Sequence, residues 1–493
     1  MTRLSLAALG RLPAAVARPC YDVAAARVGV VHLGIGAFHR AHQAVYLDDR
    51  LSAGELDWAV CGASLRSPET TQALAPQDGL YTVAIRGPAR EELRVVGAVR
   101  RLLVAPADPE ALLAAMSDPK VRIVSLTVTE KGYCYDPATG ALREDHPDVV
   151  ADLADPACPR SAPGFLVEAL RRRRAAGTAP FTVLCCDNLP ANGRTVSGVL
   201  SRFAALRDPD LGRYVAEVAC PSTMVDRIVP ATTDADRAGV ADGLGLHDAW
   251  PVMTEPFKQW VIEDRFGAGR PSLDEAGVQL VDDVAPYELM KLRLLNGSHS
   301  TLAYLGFLAG YETVAKTVAD PDFARLIRSL MDEEISPTLS MPPGADLPGY
   351  KAALLARFAN PALKHRTWQI AMDGSQKLPQ RLLGTIRDRL AVNAPIPRLA
   401  LGVAAWMRYV TGRDEKDRPI DVRDPLSGRL QAVAAEAGPA ADRLAPALLQ
   451  VEEIFGTDLP RDRRFTAPVT DALASMFRIG AKATVEALIR TSG

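Results

Sequence analysis

The chain has 493 residues, and its 57 lysines and arginines nearly balance 59 aspartates and glutamates, for a formal charge of −2. That balance excludes a general nucleic-acid binder, which needs a basic surface to displace counterions. With 48% of residues hydrophobic and 24% charged, intrinsic disorder is excluded as well, and at about 150 residues per domain the length predicts two to four domains.

The opening segment, MTRLSLAALGRLPAAVA, has a leader-like flavour, but Arg11 and Pro13 interrupt its apolar stretch and no membrane-spanning run follows. Residues 27–33 (RVGVVHL) read as a buried strand that runs into Gly34-Ile35-Gly36 and then a helix over 39–51. Residues 58–65, 121–129 and 181–186 read as further strands, with a helix over 164–176 before the last. This βαβ rhythm predicts an α/β domain with a mostly parallel sheet. From about Ala285 the character changes. Helix-period segments cover 289–305, 350–358, 398–409 and 470–489, with no comparable series of strands. Residues 336–349 (SPTLSMPPGADLPG) must form a loop. We expect an N-terminal α/β domain over 1–284 and a mainly α-helical C-terminal domain over 285–493. A cleft between two such domains is the natural place for a ligand.

Glycines at the end of a buried strand let the chain turn tightly and let backbone N–H groups approach a phosphate. Gly34 and Gly36 occupy that place, although the third glycine of the usual dinucleotide fingerprint is replaced by His39. An acid is expected after the second strand to bind a ribose. Glu69 could accept bonds from ribose hydroxyls, whereas Arg66 could receive a 2′-phosphate, so NAD is favoured and NADP stays open.

Residues 288–306 (ELMKLRLLNGSHSTLAYLG) set Lys291, Asn296 and His299 in an apolar helix pattern. At about 100° per residue all three fall on one broad face. An amine, an amide and an imidazole together suit carbonyl-to-alcohol chemistry: the amine moves the hydroxyl proton and the amide steadies the oxyanion. An ordinary lysine titrates near about 10.4, so this role asks for a buried amine. Asn188 follows the strand 181–186, where it also suits a turn. Asp226-Arg227 reads by itself as a structural ion pair.

Seven cysteines, an odd number without a CxxC pair, suggest neither a disulfide framework nor a structural zinc site. His39 and His42 lack an evident third ligand, so no metal is expected. The expected setting is a reducing cytoplasm, with no membrane and no nucleic-acid partner.

The segments HLGIGAFHRAHQAVYLDD, SLTVTEKGYC, CCDNLPANG, MVDRIVP, EPFKQWVIED, KLRLLNGSHSTLAYLG and HRTWQIAMDGSQKLPQRLL resemble the polyol-specific long-chain dehydrogenases, the mannitol dehydrogenase family. The resemblance spans 32 to about 384 and weakens over the last hundred residues. It implies a Rossmann-type N-terminal domain, a helical C-terminal domain, and metal-free hydride transfer with NAD(H) or NADP(H). Gly34, Gly36 and Phe38, with Arg66 and Glu69, fall in the cofactor region. The family's catalytic lysine falls on Lys291, its oxyanion-stabilising asparagines on Asn188 and Asn296, and its substrate contacts on Asp226, His299 and Lys377. Two departures from mannitol-type members favour a sugar acid: Lys131 within TEKGY, and Gln369 in place of a substrate-binding arginine. Lys131 and Arg366 are the expected partners of the acid's carboxylate. The expected reaction interconverts D-fructuronate and D-mannonate with NAD(H). Oxidation of D-mannitol, or of a related polyol, is the alternative. The partner is a small sugar acid or polyol, and the chain is expected to be a monomer or small homo-oligomer.

Overall fold

Short runs of valine, leucine, isoleucine and alanine, apolar along nearly their whole length and bounded by turn residues, suit strands covered on both faces. The computed structural model, which describes residues 1–491, contains eleven strands among those residues. In chain order they are β1 (Val28–Leu33), β2 (Ala59–Ser64), β3 (Tyr81–Arg86), β4 (Glu91–Val96), β5 (Val99–Val104), β6 (Ile123–Leu126), β7 (Thr182–Cys185), β8 (Thr223–Asp226), β9 (Val252–Thr254), β10 (Gln259–Glu263) and β11 (Gln279–Val281). The chain divides into two compact units, Met1–Ala285 and Pro286–Gly493.

The central sheet of the first unit has the order β5-β2-β1-β6-β7, and every neighbouring pair is parallel. The chain runs outward from β1 through β2 to β5, then returns to the other side of β1 for β6 and β7. This is the doubly wound order of a Rossmann-type fold, whose ligands bind where the direction reverses. Alternate residues feed opposite cores, as the two-residue period of a strand requires. Val31, Leu33, Val124, Leu126 and Val183 pack on one face; Val30, Val60, Ile123, Leu184 and Cys186 pack on the other. Each such side chain, fully buried, contributes about 1.5–3 kcal/mol.

Two three-stranded sheets, β4-β3-β9 and β11-β10-β8, complete this unit. The expected helix over 39–51 is two helices, Ala37–Ala41 and Gln43–Ser52, broken at His42. The cause is tertiary. His42 is fully buried against Phe38, Tyr46 and Trp260, and its Nε2 lies 2.9 Å from the Gln259 carbonyl.

The second unit is mainly helical. Helix Ser298–Leu308 packs on Pro397–Val410, which packs in turn on the long helix Arg463–Thr491, bent at Gly480. Trp406, Met407, Leu302 and Leu305 form the fully buried centre. Residues 289–305 are not one α-helix as expected. A π-helical turn, Lys291–Gly297, separates Ala285–Met290 from Ser298–Leu308. Among the described residues, no helix is long and apolar enough to cross a membrane.

His32 and His39 stack at 3.5 Å in the first unit, and both are fully buried with His42. Burial holds His32 and His42 down to about 3 and His39 well below its ordinary value. The unfolded chain takes up these protons near about pH 6.5. Stability is therefore complete above that pH and is lost as pH falls toward 3, by a few kcal/mol for each of His32 and His42 and in the same direction for His39. The unfolding temperature should be flat above pH 7 and fall steeply from pH 6.5 to 4. A profile level down to pH 4 contradicts this account.

Candidate active site

β1 ends at the point where the sheet order reverses, and Gly34 follows it with φ +89. A side chain there would place its Cβ 2.1 Å from the Thr127 carbonyl oxygen, so only glycine fits. Gly34 N donates to the Ala63 carbonyl at 2.8 Å, and Thr127 Oγ1 donates to the Gly34 carbonyl at 2.9 Å. The turn is thereby fixed to β2 and to the end of β6. Gly36, exposed, begins the next helix. These residues border a cavity of about 730 Å³, which Arg66, Ser67, Thr127 and Lys131 also line. Its size suits a small-molecule ligand or cofactor. An open glycine turn on a cavity at the reversal point fits a dinucleotide.

The loop after β6 is held from β7. The Asp187 carboxylate accepts from the backbone N–H of Val128 and Thr129 and from the Tyr133 hydroxyl at 2.7 Å. Burial raises Asp187 above the usual carboxylate value, and these donors oppose the rise. Thr129 is kept at φ 66, ψ 162, a region that costs a non-glycine residue about 1–3 kcal/mol. Asn188 is exposed immediately beyond Asp187. Asn192 fixes the other side of that loop: its amide donates to the Cys185, Asp187 and Thr223 carbonyls, and its oxygen accepts from Thr223 N. Asp226, 3% exposed, ends β8. Arg227 donates to the Ala41 and Glu255 carbonyls.

In the second unit the π-helical turn carries Lys291, buried, and Asn296, half-buried. Such turns are rare and concentrate at functional sites. Its wider winding replaces the uniform 100° spacing assumed from sequence. Arg293 anchors the turn, pairing with Asp388 at 2.6 Å and donating to the Thr338 carbonyl at 3.2 Å. A second π-helical turn, Pro379–Leu383, lies against it. A Cβ on Gly297 would be 2.8 Å from the Arg381 carbonyl oxygen. This close approach is the packing reason for a glycine inside the helix.

His299, one residue into the following helix, is 7% exposed, with its ring 5.0 Å from Phe358 and 4.7 Å from His365. Burial, chiefly, and then His365 and the charges of Arg381, Arg357 and Lys377 hold it well below its ordinary pKa, so it is neutral. Burial brings His365 down to about 4. Lys377 donates to the Met372 carbonyl at 2.6 Å and is lowered by burial and by Arg381.

The first unit thus gathers Gly34, Gly36, Arg66 and Lys131 around one cavity. Phe38, half-buried, stacks on His42 instead, and Glu69 is exposed in the first turn of its helix, outside the cavity lining. The second unit gathers Lys291, Asn296, His299 and Lys377 on adjoining turns. Arg366 is exposed, and its backbone bridges to Thr313. Sequence reasoning missed Asp187, Asn192 and Arg381. Arg381 had a visible signal, since it stands four residues after Lys377. Cys134, His146 and Asp148 form the one set of potential metal ligands among the described residues, within 4.8 Å of one another; neither His39 nor His42 belongs to it.

Residues 28–275 match the family model described as the mannitol dehydrogenase Rossmann domain, and residues 283–477 match the mannitol dehydrogenase C-terminal domain. The chain is 48% identical to D-mannonate oxidoreductase of Escherichia coli strain K12 over 478 residues, 96% of this chain and 98% of that protein. It is also 48% identical, over 483 residues, to the uncharacterized oxidoreductase YeiQ of the same organism, 97% of this chain and 98% of that protein. Among solved structures it resembles Pseudomonas fluorescens mannitol 2-dehydrogenase in a ternary complex with NAD and D-mannitol. The TM-score is 0.88 and the identity 42%, covering 99% of this chain and 100% of the other.

Proposed function

The chain belongs to the mannitol dehydrogenase family, and from that premise we propose that it interconverts D-fructuronate and D-mannonate with NAD(H). It is a secondary-alcohol dehydrogenase of the kind that acts on polyols or sugar acids. The observation that carries the finer reading is the guanidinium of Arg381, which donates to Ser300 Oγ at 3.0 Å, one residue from His299; a cation there suits an anionic substrate better than a neutral polyol.

The turn Gly34-Ile35-Gly36, with Arg66, Ser67 and Thr127 on the same cavity, would hold the dinucleotide. When bound, NAD(H) supplies or accepts the hydride. Lys291 gives the proton to the carbonyl oxygen as it becomes a hydroxyl, or removes it in the oxidative direction. Asn188 and Asn296 donate hydrogen bonds to that oxygen while it carries charge. His299 is neutral and orients a substrate hydroxyl, joined by Lys377 and Asp226. Burial of Lys291 keeps water from competing for the proton.

Gly34→Ala should raise the Kd for NADH by about tenfold or more, because strain and the clash with Thr127 both disturb the turn. Fluorescence titration measures it, and an unchanged Kd contradicts the assignment of the turn. The reaction itself is tested by incubating the protein with NAD and D-mannonate and identifying the product. D-fructuronate formed in step with NADH is the expected result. NADH formed from D-mannitol but not from D-mannonate would move the reading to the polyol.

A further inference from the structure

We propose that Arg381, seconded by Lys377, is the cation that receives the carboxylate of a sugar-acid substrate; this rests on the substrate reading above. Sequence alone placed the role on Lys131 and Arg366. Arg366 is exposed just before the short helix Thr367–Ile370, and its charge acts on Glu312. Arg381 is placed differently. Its π-helical turn continues the helix Gly374–Leu378 directly, so Lys377 and Arg381 stand four residues apart.

Two contacts locate Arg381 among the site residues. Its carbonyl packs on Gly297, one residue from Asn296 on the turn that carries Lys291. Its Nη1 donates to Ser300 Oγ at 3.0 Å, one residue from His299. His299 Nε2 is buried and has no hydrogen-bond partner among the described residues. A buried ring nitrogen left in that condition is costly, and a ligand oxygen would satisfy it.

The charges make the same point. Like charges one helical turn apart destabilise a helix. Here Lys377 and Arg381 keep that spacing, and the charge of Arg357, 6% exposed, also acts on His299. Asp373 lies 3.7 Å from Lys377 and offsets part of this charge. The arrangement stabilises an anion bound beside the neutral imidazole. A guanidinium presents a planar pair of donors that matches the two oxygens of a carboxylate, whereas a hydroxyl uses only one. Arg381 therefore discriminates an acid from a polyol of the same length.

The test compares wild type, Arg381→Gln and Arg381→Lys with D-fructuronate and with D-fructose, using NADH. For Arg381→Gln, kcat/KM on fructuronate should fall about 100-fold, mostly through KM, the scale of losing one member of a buried charge pair. Activity on fructose and the Kd for NADH should hold, and Arg381→Lys should recover part of the loss. If wild type prefers fructuronate and Arg381→Gln, still binding NADH, keeps that preference, Arg381 is not the receptor. If Arg381→Gln fails to bind NADH, Arg381→Lys decides: a fructuronate preference reduced below that of wild type supports the assignment, and an unchanged one overturns it. If wild type itself prefers fructose, the substrate reading fails and this assignment falls with it.

Discussion

Lys291→Ala should lower kcat by about three orders of magnitude while leaving the Kd for NADH unchanged, the loss expected when a positioned general acid is removed. Lys291 is buried on a π-helical turn whose geometry is fixed elsewhere: Arg293 ties the turn to Asp388 and Thr338, and Gly297 seats it on Arg381. An alanine disturbs none of these anchors. The cofactor turn at Gly34 lies in the other unit, so an unchanged Kd shows that the first unit is intact. Lys291→Arg sharpens the test. Arginine keeps the positive charge but does not release its proton near neutrality. Its kcat should stay nearly as low as that of the alanine variant. Near-normal turnover in either variant would refute the proposed proton carrier.

Asn296→Ala and Asn188→Ala should each lower kcat by about 10² to 10³, with KM little changed, because each removes a donor needed most when the oxygen is charged. Asn296 shares the turn of Lys291, whereas Asn188 is presented by a loop that Asp187 and Asn192 lock to β6, β7 and β8. Steady-state kinetics with saturating NADH measures both. A change confined to KM would make these asparagines ground-state binders instead.

β1, β2, β6 and β7 of the central sheet were legible because they are buried on both faces and announce themselves as continuous apolar runs; the edge strand β5, with Arg100 and Arg101 inside it and only Val99 buried, was not. β9 and β11, three residues each, carry too little sequence to show a period, and the partner of β9, β3, is remote in the chain. The break at His42 and the π-helical turn at Lys291 come from tertiary packing that a local pattern does not contain. Lys291, Asn296 and His299 were legible as polar residues in an apolar helix, and resemblance gave the rest of their meaning. Asp187 was hidden because its value lies in contacts some sixty residues away. Arg381 was passed over although its spacing from Lys377 was visible. Only the fold shows that Gly297 and Ser300 bring it to the same place.

This dehydrogenase is proposed to act on a sugar acid. The direct measurement is the ratio of kcat/KM for D-fructuronate to that for D-fructose, each with NADH, on the unmodified protein. A charge-paired carboxylate should make that ratio about 100 or more. A ratio near or below one would contradict the account and leave a polyol dehydrogenase in its place.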